Sequence, residues 1–425
     1  MNIPLYGPET AIAILHPSPD AALVQSLLGL AQHVIVIRPE PSCLDDYIDS
    51  GRVLFYKYEP NRLDTLIDAI KARYHLLAVP PVWEGSVELT ARVCELTALP
   101  GNPVEAVRRA RDKSAAALCF EHSGVPHPRT ALLDIATTQW HMVERKFHYP
   151  FIMKLPKSTN SHSVMLVRSQ EEFVLAVKVF QRLYEPAHKN RLYDIYRCSD
   201  SHPIIIQEYI EGTELNIDLL FDLKTFKVLG VFEKYPLCGP TFGEVQSMYP
   251  VNLSRSEVET CIRAAVAAVR ALGATIGAAH VELRYGAVGP RVIEVGLRPG
   301  GFLTPNAINY VAGIDPLAAL LHLLISDSLP DCDALPADRA CIYGAVNSEA
   351  KGRIVRISGA EHVKNIPNIH LFEFLKTAGD LIVPLPEGTD YHIAKFMLCG
   401  DSRAALESIA DEIRRTVSVE VEPTA

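Results

Sequence analysis

Two short runs carry the densest chemistry in the 425-residue chain: His280-Val281-Glu282, and Ile293-Glu294-Val295-Gly296-Leu297-Arg298. Both read as strands, in which side chains alternate between faces. His280 and Glu282 then share one face, and Glu294, Gly296 and Arg298 share one face of the second run. A glycine-containing turn, YGAVGP, lies between them, so a hairpin would bring two carboxylates and a guanidinium together. Uncompensated carboxylates repel, and such a pair holds a cation or shares a proton. Carboxylate oxygens suit Mg²⁺, which completes its shell with phosphate oxygens and water. Arg298 could clamp a further anion with its planar fork. A solvated surface hairpin with an ion pair would carry the same residues.

Two lysines suit phosphate as point charges. Lys154 closes the largely apolar run YPFIMK (149–154), at the mouth of a site. Lys113 ends ARDK (110–113), within a stretch, 104–122, whose pattern predicts one helix; an ordinary helix-surface lysine is the plainer reading there. After Lys154 comes a run of small hydroxyl residues that includes Ser161 and Ser163. Such a run can fold over phosphates or simply form a surface turn. In QEYIEGTE (207–214) an apolar strand runs into polar residues. Exposed backbone at such a break can meet an adenine edge, and Glu214 could take two ribose hydroxyls. A hairpin turn with exposed acids is the alternative.

These residues need elements to hold them. The first hundred residues alternate strand patterns (11–15, 34–37, 76–79) with helical ones (18–33, 64–72, 86–96), which predicts a parallel sheet covered by helices. Its first turn, HPSPD, lacks G-x-G-x-x-G, so no dinucleotide is assigned. The breaker-rich LPGNP (99–103) marks a boundary. Residues 149–167 read as two strands around a polar loop, 181–201 as an irregular excursion, and 203–210, 215–222 and 228–233 as strands. Ser254 with Glu257 forms a capping box for a helix whose apolar residues repeat at three and four until Gly273. Strands are expected at 278–283 and 291–295. After Pro330 come short strands and one late helix, 402–415, a smaller α+β unit.

Composition sets outer bounds. Hydrophobic residues make up 48% and charged residues 21%, ordinary for a globular chain. A net charge of −9 gives no general attraction to nucleic acid or anionic membrane. No apolar run approaches the ~20 residues of a membrane span. The start, MNIPLYGPET, lacks the basic and apolar regions of a signal peptide. The nine cysteines are scattered without a C-x-x-C pair, which fits reduced thiols in a cytoplasmic protein better than a disulfide framework or a metal site.

Taken in order, ARDK, GVPHP (124–128), YPFIMK, SHSV (161–164), QEYIEGTE, AHVE (279–282) and IEVGLRPGG (293–301) resemble the ATP-grasp superfamily over about half the chain. The resemblance implies a multidomain α/β and α+β architecture. A Rossmann-like domain (1–103) precedes the ATP-grasp domain (104–330, lid about 140–206), and a small α+β domain (331–425) follows. It also implies roles. Lys113 and Lys154 would hold ATP phosphates, and Ser161 to Val164 would form the tip of the flexible loop. Glu208 would offer its carbonyl and Ile210 its N–H to adenine, and Glu214 would hold ribose. Glu282 and Glu294 would bind Mg²⁺, with two ions expected and Mn²⁺ an acceptable substitute. Arg298 would steady an acyl phosphate.

Two departures from the family stand out. Ser163 occupies a place where glycine is usual, and Gly296 replaces the Asn of E-x-N-x-R, a variant resembled by several amino-acid-ligating members. RPGG and the segment 352–370 look like the L-amino-acid ligases. That branch implies ATP-dependent joining of one amino acid's carboxylate to another's amine, releasing ADP and phosphate, with the amides of Gly300 and Gly301 helping at the oxyanion. Small L-amino acids are the implied partners and a homodimer is common in the look-alikes. Lys234 could reach a phosphate rather than sit at the surface. Glu84 could hold a substrate ammonium or simply begin a helix. His280 could take a proton from the incoming amine or be structural. Phe302, Leu303 and Thr304 are expected near the acyl side. A biotin-carboxylase-like or purine-pathway ligase, or a non-catalytic nucleotide sensor, are the competing readings; the intact set Lys113, Lys154, Glu282, Glu294 and Arg298 weighs against a sensor.

Overall fold

Alternation along three strands decides which side chains face the cleft. Leu215, Ile217 and Leu219 of Thr213–Phe221, Ala279, Val281 and Leu283 of Gly277–Gly286, and Val292 and Val295 of Gly289–Gly296 are buried in one core with the helix Arg255–Ala271. The opposite face receives Glu214, Asn216 and Asp218, then His280, Glu282 and Arg284, then Glu294. The register aligns them: Glu282 pairs with Glu294 and Asn216, His280 with Asp218 and Gly296, and Arg284 with Glu214. A one-residue slip would drive these polar groups beneath the helix at roughly 2–7 kcal/mol each, so burial specifies the register strongly. After Glu282 the pairing jumps from Glu294 to Val292, a bulge that turns Ile293 toward the cleft as well.

The structure, a computed structural model, describes residues 9–17, 19–38, 51–137, 140–159, 161–185, 202–236, 239, 241–243, 245–331, 338–386, 388 and 390–423. The expected N-terminal sheet is present and wholly parallel, in the order Val53–Lys57, His33–Arg38, Thr10–Leu15, His75–Ala78. Its first helix is shorter than its pattern predicted, Ala21–Leu28, capped by the Asp20 carboxylate and ended by Gly29. The breaker-rich segment 99–103 is anchored, because Asn102 Oδ1 accepts the N–H groups of Thr275 and Ile276.

The lid is a four-stranded antiparallel sheet in the order Thr130–Asp134, Pro203–Glu208, Phe151–Lys154, Met165–Val167. It therefore begins before residue 140 and ends after 206. The helix Gln170–Leu183, which the sequence reading did not place, packs on it through Phe173, Ala176, Phe180 and Leu183. It takes in the start of the predicted 181–201 excursion; residues 186–201 lie outside the described residues, as do Cys43, Cys198, Cys238 and Cys332. Cys94, Cys119, Cys261, Cys341 and Cys399 are free thiols.

Beyond Pro330 the chain builds one small sheet of its own, in the order Leu381–Ile382, Gly352–Ser358, Ser418–Glu422, and its other strands join the central sheet. Ala340–Asn347 pairs with Gln246–Tyr249, and His392–Gly400 and Ile369–Phe374 follow, extending the central sheet to eight strands. The division expected at 331 thus crosses a continuous sheet. The helix Thr304–Ala312 buries Ala307, Ile308 and Val311 and exposes Asn306 and Asn309, whereas Pro316–Ser326 is apolar on most sides; both pack into the core that the central and N-terminal sheets share. Among the described residues no single helix is long and apolar enough to cross a membrane.

The helix expected over 104–122 is broken in two, Val104–Arg111 and Lys113–His122. Asp112 is extended (φ −102°, ψ 105°), and its Oδ1 accepts the N–H groups of Ser114 and Ala115 at 2.9 and 3.2 Å. An Asp that caps a new helix competes with continuation of the old one. Lys113 consequently opens a helix, and its N–H donates to Pro156 O at 3.0 Å, in the lid segment that follows Lys154. We expect Asp112→Ala to cost about 1 kcal/mol of stability, measurable as a lower midpoint in urea unfolding.

Candidate active site

The lid sheet and the polar face of the central sheet flank a cavity of about 160 Å³. A second, wider cavity of about 900 Å³ adjoins it, toward the N-terminal domain. Glu84, Thr159, Arg298, Gly301 and Phe302 line both.

Three lysines converge on the first cavity. Lys113 is 6% exposed and Lys154 3%. Lys113 Nζ lies 3.1 Å from Glu294 Oε1 and donates to Ser158 O at 2.9 Å. Lys154 Nζ donates to Gln207 Oε1 at 2.8 Å, and the Gln207 amide is oriented by Thr130 Oγ1. Burial, followed by the like charge of Lys113, brings the Lys154 ammonium down to about 8. Lys234 closes its strand, Phe226–Lys234, and bridges Glu282 Oε2 at 2.8 Å and Glu214 Oε1 at 3.0 Å.

The acids sit opposite these cations. Burial pushes the Glu282 carboxyl upward, but Lys234 and then His280 outweigh it and hold it at about 2. Glu282 and Glu294 stand side by side on paired strands. Among the described residues no three His, Cys, Asp or Glu side chains group into a metal cage. Two facing carboxylates with no third ligand are a donor set that fits Mg²⁺ bound together with phosphate and water. Glu214 also accepts from Arg284 Nε at 2.8 Å, and Arg284 Nη1 donates to Ile210 O at 2.9 Å. Arg284 lies over the rings of Tyr209 and Phe242. Glu208 and Ile210 line the cavity, and Glu208 is fixed by exchanging hydrogen bonds with the backbone of Arg129.

At the far end His280 Nδ1 meets Asp218 Oδ1 at 3.1 Å, and its Nε2 is 3.8 Å from Glu282 Oε1. Burial would lower the His280 pKa, but Asp218 outweighs it and the net shift is upward. Asp218 Oδ1 also accepts the Gly300 N–H at 2.9 Å. A Cβ at residue 300 would stand 2.7 Å from that oxygen and 2.9 Å from His280 Nδ1, so this approach requires glycine.

Four expectations need correction. The Gly300 amide is held by Asp218 and does not face an oxyanion; Gly301 lines both cavities. Ser163 is fully buried, and its hydroxyl accepts the Leu155 N–H at 3.3 Å instead of facing phosphate. Ser161 and Ser163 nevertheless take the left-handed backbone glycine favours, with φ of 52° and 66°, and Ser161 does line the cavity. Glu84 is not open to an ammonium, because its oxygens accept from Arg111 and Arg298. Leu303 is buried behind the wall that Phe302 and Thr304 form. Asp218, Arg284, Gln207 and Arg111 escaped the sequence reading. Asp218 and Arg284 had left a trace: Glu214-Asn216-Asp218 and His280-Glu282-Arg284 are polar rows of period two.

Comparison with known proteins bears on this geometry. Residues 147–306 match the ATP-grasp domain family, and residues 346–422 match the L-amino acid ligase C-terminal domain 2. These matches cover an ATP-grasp domain and a C-terminal domain of the L-amino acid ligase type, each over less than half of the chain. The chain resembles the L-amino acid ligases in particular. The fold superposes on that of L-amino acid ligase from Bacillus licheniformis with a TM-score of 0.81 at 20% identity, covering 98% of this chain and 100% of the other. The biotin carboxylase domain of Hydrogenobacter thermophilus 2-oxoglutarate carboxylase, solved with MgADP, gives 0.66 at 16% identity, covering 98% and 92%. In sequence, carnosine synthase 1 of Gallus gallus is 30% identical over 283 residues, which is 62% of this chain but 29% of that protein. The human carnosine synthase 1 is 28% identical over 244 residues, 56% of this chain and again 29% of its relative.

Two outcomes follow from the charges. With the Lys154 pKa brought down to about 8, the positive charge it would offer a phosphate is present below that pH and is lost above it. Nucleotide affinity measured by calorimetry should fall between about pH 7 and about pH 9, more steeply than in Lys154→Met. If Glu294 holds Mg²⁺, as the resemblance implies, Glu294→Ala should lower ATP turnover by more than about a hundredfold, since losing a direct ligand outweighs losing its support, whereas Lys113→Ala should mainly weaken ATP affinity; steady-state kinetics separate the two.

Proposed function

We propose that the chain joins the carboxylate of one L-amino acid to the amine of another, through an acyl phosphate, and releases ADP and phosphate. The observation that carries this reading is the convergence of Lys113, Lys154 and Lys234, the Glu282–Glu294 pair and Arg298 around one cavity that opens at Arg298 into another. Charge neutralisation of that kind is most of what phosphoryl transfer asks of a protein. The likeness to L-amino acid ligase and carnosine synthase supports amino acids as the substrates.

On this reading the Glu208–Ile210 backbone meets adenine and Glu214 meets ribose, sharing its oxygens with Arg284 and Lys234. Lys113 and Lys154 hold the phosphates from the lid side. Two Mg²⁺ ions held by Glu282 and Glu294 would supply further neutralisation as the phosphoryl group moves. Arg298, at the junction, binds the substrate carboxylate and then the acyl phosphate. The incoming amine must lose a proton to attack. His280, with Nδ1 held by Asp218, accepts it at Nε2, and the phosphate leaves as the amide forms.

The test is to incubate the purified protein with ATP, Mg²⁺ and mixed L-amino acids, then measure phosphate release and search for dipeptides by mass. Phosphate release that depends on amino acids is expected. AMP and pyrophosphate as products would overturn the mechanism, and release driven by bicarbonate alone would favour a carboxylase.

A further inference from the structure

Glu84 and Arg298 line both cavities and so form their junction. They come from different domains. Glu84 opens the short turn Glu84–Ser86 after the N-terminal strand His75–Ala78, and Arg298 lies just beyond the strand Gly289–Gly296. Glu84 Oε2 accepts from Arg298 Nε, and Oε1 accepts from Arg111 Nη1, each at 2.5 Å. Arg298 Nη1 also donates to Pro299 O at 2.7 Å. Two anchored edges stop the guanidinium from rotating, and its other N–H groups remain for an anion.

Charge and space both fit a purpose beyond structure. A lone glutamate would cancel Arg298 and repel an anionic substrate. Arg111, with its side chain 5% exposed, offsets that charge, so the trio keeps a net positive charge at the junction. Space comes from Gly296. A Cβ there would lie 3.3 Å from Glu84 Oε2, closer than ordinary contact, and a longer side chain would occupy the carboxylate's place.

We infer that Gly296 and Glu84 are a linked pair: the missing side chain at 296 admits the Glu84 carboxylate, which acts as a positioning residue that aims Arg298 at the meeting point of phosphoryl group and substrate carboxylate. The inference rests on the ligase reading for its kinetic consequence, and on geometry alone for the hold on Arg298. The Asn of E-x-N-x-R at position 296 and a carboxylate at position 84 are, on this account, mutually exclusive.

The experiment uses the full chain as Glu84→Gln, Gly296→Ala and the double variant. Each single change should lower kcat for amino-acid-dependent phosphate release by about tenfold or more, while KM for ATP stays within about twofold. The double variant should be little worse than Glu84→Gln, because both act on one contact. Labelling by phenylglyoxal, read as the mass of the peptide containing Arg298, should be faster in both single variants than in the native chain. If Glu84→Gln does not fold, Gly296→Ala, which removes no charge, decides. Native labelling rates or native kcat in Gly296→Ala would overturn the inference. A native protein without amino-acid-dependent turnover would instead refute the ligase reading, and the labelling comparison would still decide whether Glu84 holds Arg298.

Discussion

A carboxylate taken out of water stays ionised only with a cation against it, and the whole cleft is arranged around that constraint. Glu282 meets Lys234, Glu294 meets Lys113, Glu214 meets Lys234 and Arg284, and Glu84 meets Arg111 and Arg298. The partners arrive from separate places: a helix start, a neighbouring strand, the N-terminal domain and the loop after the last hairpin strand. Removing one member would strand an opposite charge in a poorly hydrated cleft, which is costlier than never having the pair. On the ligase reading, a metal ion and a polyphosphate obey the same rule. They offer cations to the acids and anions to the lysines, so ligands and protein exchange partners within one balanced set.

The scaffold holds this set by using both faces of single strands. Glu233 and Lys234 are adjacent and therefore point to opposite sides of their strand. Lys234 reaches the cleft. Glu233 takes the guanidinium of Arg403 through both oxygens, each at 2.7 Å, and accepts the Asn252 N–H as well. That pairing, with burial outweighed by Arg403, lowers the Glu233 pKa. It also fastens the helix Arg403–Thr416 to the strand that carries Lys234. The C-terminal segment thus supports the cleft from behind as well as extending its sheet. Its apolar strands His392–Gly400 and Ala340–Asn347 share a core with this helix.

Much of the site was readable from period-two alternation. Glu282 and Glu294 share the cleft face because Val281 and Val295 are buried on the other, and the register of the hairpin then sets the two acids side by side. Lys154 at the end of an apolar strand and the Ser254–Glu257 capping box were legible for the same reason: each depends on neighbours in sequence. The break at Asp112 was not, since an Asp inside an amphipathic run is compatible with helix until its carboxylate finds the amides of Ser114 and Ala115. The burial of Ser163 was hidden too, because a serine among hydroxyl residues gives no sign of facing inward.

Sequence by itself determined the local periods, the two acids, the lysines and the order in which they occur, because those follow from side-chain alternation and from chemistry that each residue carries alone. Only the tertiary structure decided which charges pair. Glu84 and Arg298 are 214 residues apart, and no local pattern around either residue marks the other as its partner. Their contact depends on the N-terminal domain docking against the central sheet and on the space left by Gly296. The same docking turned Glu84 from a prospective ammonium ligand into the partner of two arginines, and the fold of the 296–301 loop gave the Gly300 amide to Asp218. Long-range electrostatics in a low-dielectric cleft acts through distance in space, and sequence separation does not encode that distance.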